Sequence, residues 1–479
     1  MNKELIGYDE NGQVFDVGKV VLRKINNSYK QEVKEIFKAY KIWNLNKKGI
    51  VETKLLDDGN LQHKKLIVSY PYEWTANMFK DAVLFHLKMF SEAGKAGLTL
   101  KDALPNNIVF DCTTPVFIDF LSIVFPNKLK NEKWLNTERF KDPRVAIVDT
   151  MLLPYIIFPF LSMYSGEYGV ARELLSIRSC NTGGKTPEWD DLFSPKIKQE
   201  IIKKGKYIRL FTLVEKLRLY RLLLRQNLIG FDKFTAKLVR MVSDSDVTPP
   251  RSAYSLYYNR KKEETSFRSP SKFLPKQKTV YDIIKIKKPK NVLDIGANTG
   301  WYSVLASRLG SEVIAIEDDE SCVDILYKRA KKNRLNILPL KISFGELTKK
   351  IYGVEDNNPV YKNRGFKNNP LYRSGIERFK SELVLVLGLA HHLVLGQGYS
   401  IDKMFKILSQ LTQSTLVLEF VDLTDEKIVN EPSFFKNINK FNHSNYSLDR
   451  FLEIGKKHFA NVVICDSYPQ TRKILVFNK

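Results

Sequence analysis

The stretch Asp294-Ile295-Gly296-Ala297-Asn298-Thr299-Gly300 carries more chemistry in its residue types and spacing than any other part of this chain. An apolar strand, Lys290–Leu293, runs into it and a helix, Tyr302–Leu309, leaves it. Glycine is required where the backbone bends sharply and must approach a bound nucleoside with no Cβ in the way. The helix that follows offers unpaired N–H groups to polar ligand atoms. A second apolar run, Glu312–Ile316, ends in Glu317, seventeen residues beyond Gly300. A carboxylate at the end of the second strand of such a crossover accepts both ribose hydroxyls of a nucleoside. Strand, turn, helix, strand and acid in this order predict a nucleoside cofactor, with Asp294, Gly296, Asn298 and Gly300 at one end and Glu317 on the ribose. The glycine spacing is not G-x-G-x-x-G, which argues against a nicotinamide or flavin dinucleotide.

A third buried run, Leu383–Leu387, leads into Gly388-Leu389-Ala390-His391-His392-Leu393. Imidazole titrates near neutral pH, so His391 or His392 is the candidate general base for an acceptor hydroxyl. Further strands are predicted over Asn336–Ile342, followed by Ser343, over Thr415–Phe420 with Glu419 near its end, and over Ile474–Asn478 as a final antiparallel strand. The long insertion Gly345–Arg378, rich in Asn, Lys and Tyr, has the make-up of a substrate-covering loop.

The pattern Asp-x-Gly-x-x-x-Gly resembles the first motif of class I S-adenosylmethionine-dependent methyltransferases, and Leu387–Leu393 resembles the segment that lines their methyl-transfer site. Over nearly its full length the chain resembles a bacterial methyltransferase family that includes a rhizobial nodulation protein. That resemblance rests on Tyr70–Trp74, Leu100–Ala103, Pro115–Ser122, Asp294–Gly300, Glu377-Arg378, Leu387–Leu393 and Leu418–Val421. It implies S-adenosyl-L-methionine as cofactor, no metal in the methyltransferase site, and a Rossmann-like seven-stranded sheet. Ser343 stands where the class usually has an Asp that holds the adenine amino group, so Ser343 or a backbone group is expected to make that contact.

Asp102, Asn107 and Asp119 form a second constellation, an Asn five residues after one Asp and a second Asp twelve residues later. It resembles the catalytic loop and metal-binding strand of protein and aminoglycoside kinases. The resemblance implies ATP with magnesium, Asp102 accepting a hydroxyl proton and Asn107 and Asp119 holding the metal. Leu121 replaces the usual Gly, and no Gly-rich phosphate loop precedes Tyr70.

These elements need 479 residues, too many for one core, and the composition is that of a globular chain with 43% hydrophobic residues. The expected organisation is an α/β protein in three parts. Residues 1–242 make a mostly helical α+β domain, kinase-like, that selects or presents the acceptor or regulates it. Residues 243–277, rich in Ser, Pro and charge, are a linker, and 278–479 are the methyltransferase domain. The apolar run Val145–Tyr164 contains Asp149, Pro154 and Pro159 and reads as a buried helix, not a membrane span. Met1–Asp9 is polar and charged, and Cys112, Cys180, Cys322 and Cys465 lack metal-ligand spacing, so a cytoplasmic protein with reduced thiols is expected. The net charge of +24 favours an anionic partner, nucleic acid included, although no nucleic-acid motif is present. The basic stretch Lys196–Gln226 reads as a solvated face over a leucine stripe, or else as an anion-binding helix pair. The acceptor expected first is a glycan or small molecule. The alternatives are a nucleic-acid methyltransferase, a bifunctional kinase–methyltransferase and a non-catalytic scaffold that binds the cofactor.

Overall fold

The computed structural model describes residues 3–9, 11–132, 135, 137–175, 207–256, 267, 270–349, 373–442 and 444–479. Cys180, Lys196–Lys206 and most of the insertion after Gly345 therefore lie outside the described residues. The chain divides into two compact units, Met1–Thr248 and Pro249–Lys479.

The first unit opens with five short strands, β1 (Glu4–Asp9), β2 (Gly12–Asp16), β3 (Val20–Ile25), β4 (Thr53–Leu55) and β5 (Leu61–Lys64). They pair antiparallel in the order β1-β2-β3-β5-β4. Between β3 and β4 the helix Lys30–Ile42 buries Val33, Ile36 and Tyr40, a three-to-four-residue spacing that gives it one apolar face. The described residues up to Tyr70 thus form a five-stranded sheet with one α-helix, where sequence patterning shows only alternating short runs. The strands escape periodicity because most of their residues are half-exposed on both faces.

Beyond it the unit becomes mostly helical. Thr75 caps the helix Ala76–Lys95 by accepting from the Met78 N–H at 3.3 Å. Two short ribbons follow, β6 (Thr99–Leu100) with β9 (Ile123–Val124), and β7 (Ile108–Asp111) with β8 (Thr114–Phe117). The helix Arg144–Ser165 is apolar enough to cross a membrane by length and composition, yet 78% of its most apolar window is buried inside the protein. Its Pro154 lies in a π-helical stretch, Val148–Ile157, the kind of widened turn that accommodates a missing N–H. On the helix Tyr207–Arg225, Leu210, Val214, Leu217 and Leu224 are buried, and Arg221 and Arg225 pair with Asp149. Part of the basic stretch is therefore structural, a charged face closing over a leucine stripe.

The second unit is a seven-stranded sheet ordered β12-β11-β10-β13-β14-β16-β15. The strands are β10 (Asn291–Ile295), β11 (Glu312–Glu317), β12 (Ile337–Lys341), β13 (Ser381–Val386), β14 (Thr412–Val421), β15 (Asn461–Asp466) and β16 (Arg472–Asn478). The first five run parallel, and β16 runs antiparallel between β14 and β15. Runs such as Val292–Ile295 and Leu383–Val386 are buried throughout, as parallel strands with helices on both faces must be. The core beneath joins Val292, Leu385 and Val417 to Val304, Leu305 and Leu326 from the flanking helices.

Candidate active site

Strand order reverses at β10, with β11 on one side and β13 on the other. In an open parallel sheet this switch point leaves a crevice at the carboxyl ends of the strands, where ligands bind. Asp294–Gly300 leaves β10 there, Glu317 ends β11, and Gly388–His392 leaves β13.

The glycine turn is built from left-handed backbone. Gly296 has φ 74°, Asn298 φ 52° and Gly300 φ 80°. The Gly296 and Ala297 N–H groups both donate to the Ile316 carbonyl, at 2.9 and 3.1 Å, which ties the turn to β11. A Cβ on Gly300 would lie 2.3 Å from Leu326 Cδ1, and one on Gly296 would lie 3.1 Å from Leu389. Gly300 therefore serves helix packing as well as backbone conformation, a role the ligand-approach argument from sequence does not contain.

Asp294 is 2% exposed and accepts a hydrogen bond from Ser303 Oγ at 2.6 Å. Burial pushes its carboxyl up to about 6, against the pull of the Ser303 bond. Glu317 accepts from the Asn298 N–H at 2.9 Å through Oε2, and from the Asp318 and Asp319 N–H groups at 2.7 and 3.0 Å through Oε1. Those three bonds hold the carboxylate in place and leave about one lone-pair direction for a ligand hydroxyl. Burial outweighs them and raises its pKa. Ser343 stands at the start of the turn Phe344–Thr348, its hydroxyl donating to Glu346 Oε2 at 2.8 Å.

On the β13 side, His391 is 1% exposed, and among the described residues neither ring nitrogen has a hydrogen-bond partner. His392 is half-buried, 4.3 Å from His391 between ring centroids and stacked on Phe435 at 5.2 Å. Burial lowers both, His392 to about 4 and His391 well below its ordinary value, with Lys427 and Arg472 adding to the effect on each. The structure thus presents His392, not His391, toward the surface, and both rings are neutral at pH 7.

Sequence reasoning missed a buried ion pair beside this segment. Lys276 Nζ lies 2.6 Å from Glu419 Oε2, and Ser467 Oγ donates to Glu419 Oε1 at 3.1 Å. Glu419 is fully buried, and a Cβ on Gly388 would sit 3.6 Å from its Oε2. The acid within the apolar run Leu416–Phe420 was the available signal, whereas Lys276 shows none among its lysine-rich neighbours. A second pair, Arg472 with Asp425, closes at 2.8 and 2.9 Å and fixes the segment after β14 to β16.

In the first unit, Asp119 accepts from Arg23 of β3 at 2.8 Å and from the Ser122 hydroxyl. Burial works to raise its pKa, but Arg23 and Ser122 outweigh it and hold the carboxyl below its ordinary value. Asp102 accepts from the Leu104 N–H at 3.2 Å, and burial, then the Asp119 charge, push it up to about 6. Asn107 turns its amide to the Asp102 backbone carbonyl at 3.1 Å. Phe120 is fully buried against Tyr40, 5.4 Å between rings. The fold brings Asp102, Asn107 and Asp119 into one neighbourhood, but Asp119 and Asn107 are engaged within the protein. Among the described residues no group of three or more His, Cys, Asp or Glu side chains could hold a metal.

The strand order, the switch-point turn and the acid ending β11 give the second unit the fold of the class I S-adenosylmethionine-dependent methyltransferases. No protein-family profile matches the chain. It is 26% identical over 376 residues, 77% of its own length and 72% of the relative's, to nodulation protein NoeA of Rhizobium meliloti (strain 1021). A stretch of 72 residues is 31% identical to ribosomal protein L11 methyltransferase of Thermotoga maritima, spanning 15% of this chain and 26% of that protein. Among solved structures, the bifunctional kinase-methyltransferase WbdD superposes with a TM-score of 0.30 at 15% identity, over 44% of this chain and 42% of that one. Magnesium protoporphyrin IX methyltransferase of Synechocystis PCC 6803, with bound S-adenosylhomocysteine, gives 0.28 at 14% identity, over 42% and 82%. Superpositions this weak add nothing to the fold assignment, which follows from the strand order.

Proposed function

We propose that the second unit transfers the methyl group of S-adenosylmethionine to a hydroxyl of a glycan or small molecule, with the first unit selecting or presenting that acceptor. The observation that supports this reading is that Asp294, Glu317 and the His391–His392 segment sit at or just beyond the carboxyl ends of three neighbouring parallel strands, β10, β11 and β13. When bound, the cofactor supplies an electrophilic methyl group on a cationic sulfur. Asp294 gives the crevice a carboxylate suited to the cationic amino-acid end, and the turn Gly296–Gly300 with the helix Trp301–Arg308 offers backbone N–H groups. Glu317 holds the ribose, and the Ser343 oxygen accepts from the adenine amino group. His392, neutral at pH 7, takes the proton that an acceptor hydroxyl must lose. Displacement at a methyl carbon needs the reacting atoms in line, so positioning supplies most of the acceleration. Lys276 and Glu419 hold each other fixed under Gly388 and keep the floor of the transfer site rigid.

The glycan or small-molecule acceptor is favoured by the likeness to a nodulation protein along most of the chain. The second reading, a nucleic-acid acceptor, rests on the net charge of +24. Incubating the protein with methyl-labelled S-adenosylmethionine and a fractionated extract of its native cell separates them. Label in the glycan or small-molecule fraction supports the first reading. Nuclease-sensitive label, with binding that weakens steeply as salt rises, replaces it with the second.

A further inference from the structure

The segment Arg251–Leu256, assigned to a linker from its composition, lies inside the second unit on the cofactor side of the crevice. Its turn is braced by its own serines. The Ser252 N–H donates to Ser255 Oγ at 2.9 Å, the Ser255 N–H to Ser252 Oγ at 3.0 Å, and Ser255 Oγ to the Ser252 carbonyl at 2.9 Å. The short helical turn Tyr254–Leu256 that results packs on the helix Glu320–Asn333. Ser252 also hydrogen-bonds the Cys322 side chain in the first turn of that helix. The decisive tie is to the cofactor turn itself. Asn298, whose N–H holds Glu317, donates its side-chain amide to the Tyr254 carbonyl at 3.1 Å. The Tyr254 phenol lies in the field of the Glu317, Glu431 and Asp319 carboxylates. Burial and those carboxylates raise its pKa, so the hydroxyl keeps its proton and remains a donor. Its side chain is nevertheless 43% exposed and is not part of the core.

We propose that Tyr254 is a cofactor-positioning residue, carried on a strap that Asn298 latches to the glycine turn of the S-adenosylmethionine site. The inference rests on the reading of this crevice as the cofactor site. A tyrosine suits the position because its rigid ring supplies a large contact at small conformational-entropy cost. Held beside the glycine turn, the ring covers the nucleoside and slows its escape.

The test uses the full chain and follows release of radiolabelled S-adenosylhomocysteine from wild type, Tyr254→Ala and Tyr254→Phe, with thermal midpoints of the ligand-free proteins alongside. The expected result is release about tenfold faster in Tyr254→Ala, equivalent to ~1.4 kcal/mol, with an unchanged ligand-free midpoint and most of the effect restored in Tyr254→Phe. Wild-type binding with release from Tyr254→Ala within about twofold overturns the inference while leaving the cofactor assignment standing. A wild type that binds no S-adenosylhomocysteine removes both. A fall in the ligand-free midpoint that accounts for the faster release makes Tyr254 a structural residue and also overturns it.

Discussion

Asp294 shows how the site trades stability for binding. Its carboxyl is raised to about 6 by burial, so ionising it inside the folded protein costs on the order of 3 kcal/mol. A raised carboxyl contributes stability that is fully present below its unfolded value near 4 and is lost as pH rises through about 6. Asp294→Asn keeps an acceptor for Ser303 and removes the titration. The ligand-free variant should therefore gain stability over wild type as pH goes from 5 to 8, while its affinity for S-adenosylhomocysteine falls at least about tenfold. Thermal scans at both pH values and one titration check this, and a constant difference between the two proteins contradicts it. His392 makes a separate prediction. Held at about 4 by burial and nearby cations, its ring should show no titration above pH 5 in an NMR pH series. With an acceptor in hand, His392→Asn should lower kcat by roughly 100-fold or more and leave the cofactor KM unchanged. An unchanged kcat would leave the ring with packing alone. Asp294, the glycines and Glu317 were legible from sequence because their roles are local to one crossover. What His391 and His392 do separately was not, since their burial depends on distant packing partners such as Phe435, more than forty residues away.

At the scale of elements, the parallel strands declared themselves through unbroken apolar runs, and the predicted boundaries of β10, β11 and β13 fall within a residue or two of those observed. Elements whose identity depends on distant pairing did not. β15 is mostly exposed and takes its place only by pairing with β16, and the strands of the first unit are short and half-exposed. Within the stretch read as a linker, Arg251–Leu256 belongs to the second unit and packs on the helix Glu320–Asn333. Serine and proline composition marks a turn but cannot say what the turn lies against. The Arg472–Asp425 pair is the element-scale tie that holds the segment after β14 on β16. Burial alone would raise Asp425, but the Arg472 and Thr471 bonds bring it to about 2. Asp425→Ala leaves Arg472, 7% exposed, without its carboxylate, which should cost about 3–5 kcal/mol in denaturant unfolding. A loss below about 1 kcal/mol would mean that water or other groups already serve the guanidinium.

For the molecule as a whole, two units with separate cores predict separable failures. Arg23→Leu removes the cationic partner of Asp119 in the first unit, leaving a part-buried carboxylate held by the Ser122 hydroxyl without its ion pair. It should destabilise that unit and leave the affinity for S-adenosylhomocysteine within about twofold of wild type. A large loss of affinity would show that the two units do not act independently. The first unit also marks how far sequence could reach. Asp102, Asn107 and Asp119 were found by spacing, yet the engagement of Asp119 by Arg23 joins residues 96 positions apart and has no local signature.

The most direct test of the central claim is calorimetric titration of the full-length protein with S-adenosylhomocysteine, beside Glu317→Ala. One saturable site in wild type, weakened at least about tenfold in the variant, is the predicted result. No binding to wild type, or equal binding to both, would contradict the assignment of the β10–β13 crevice as the cofactor site.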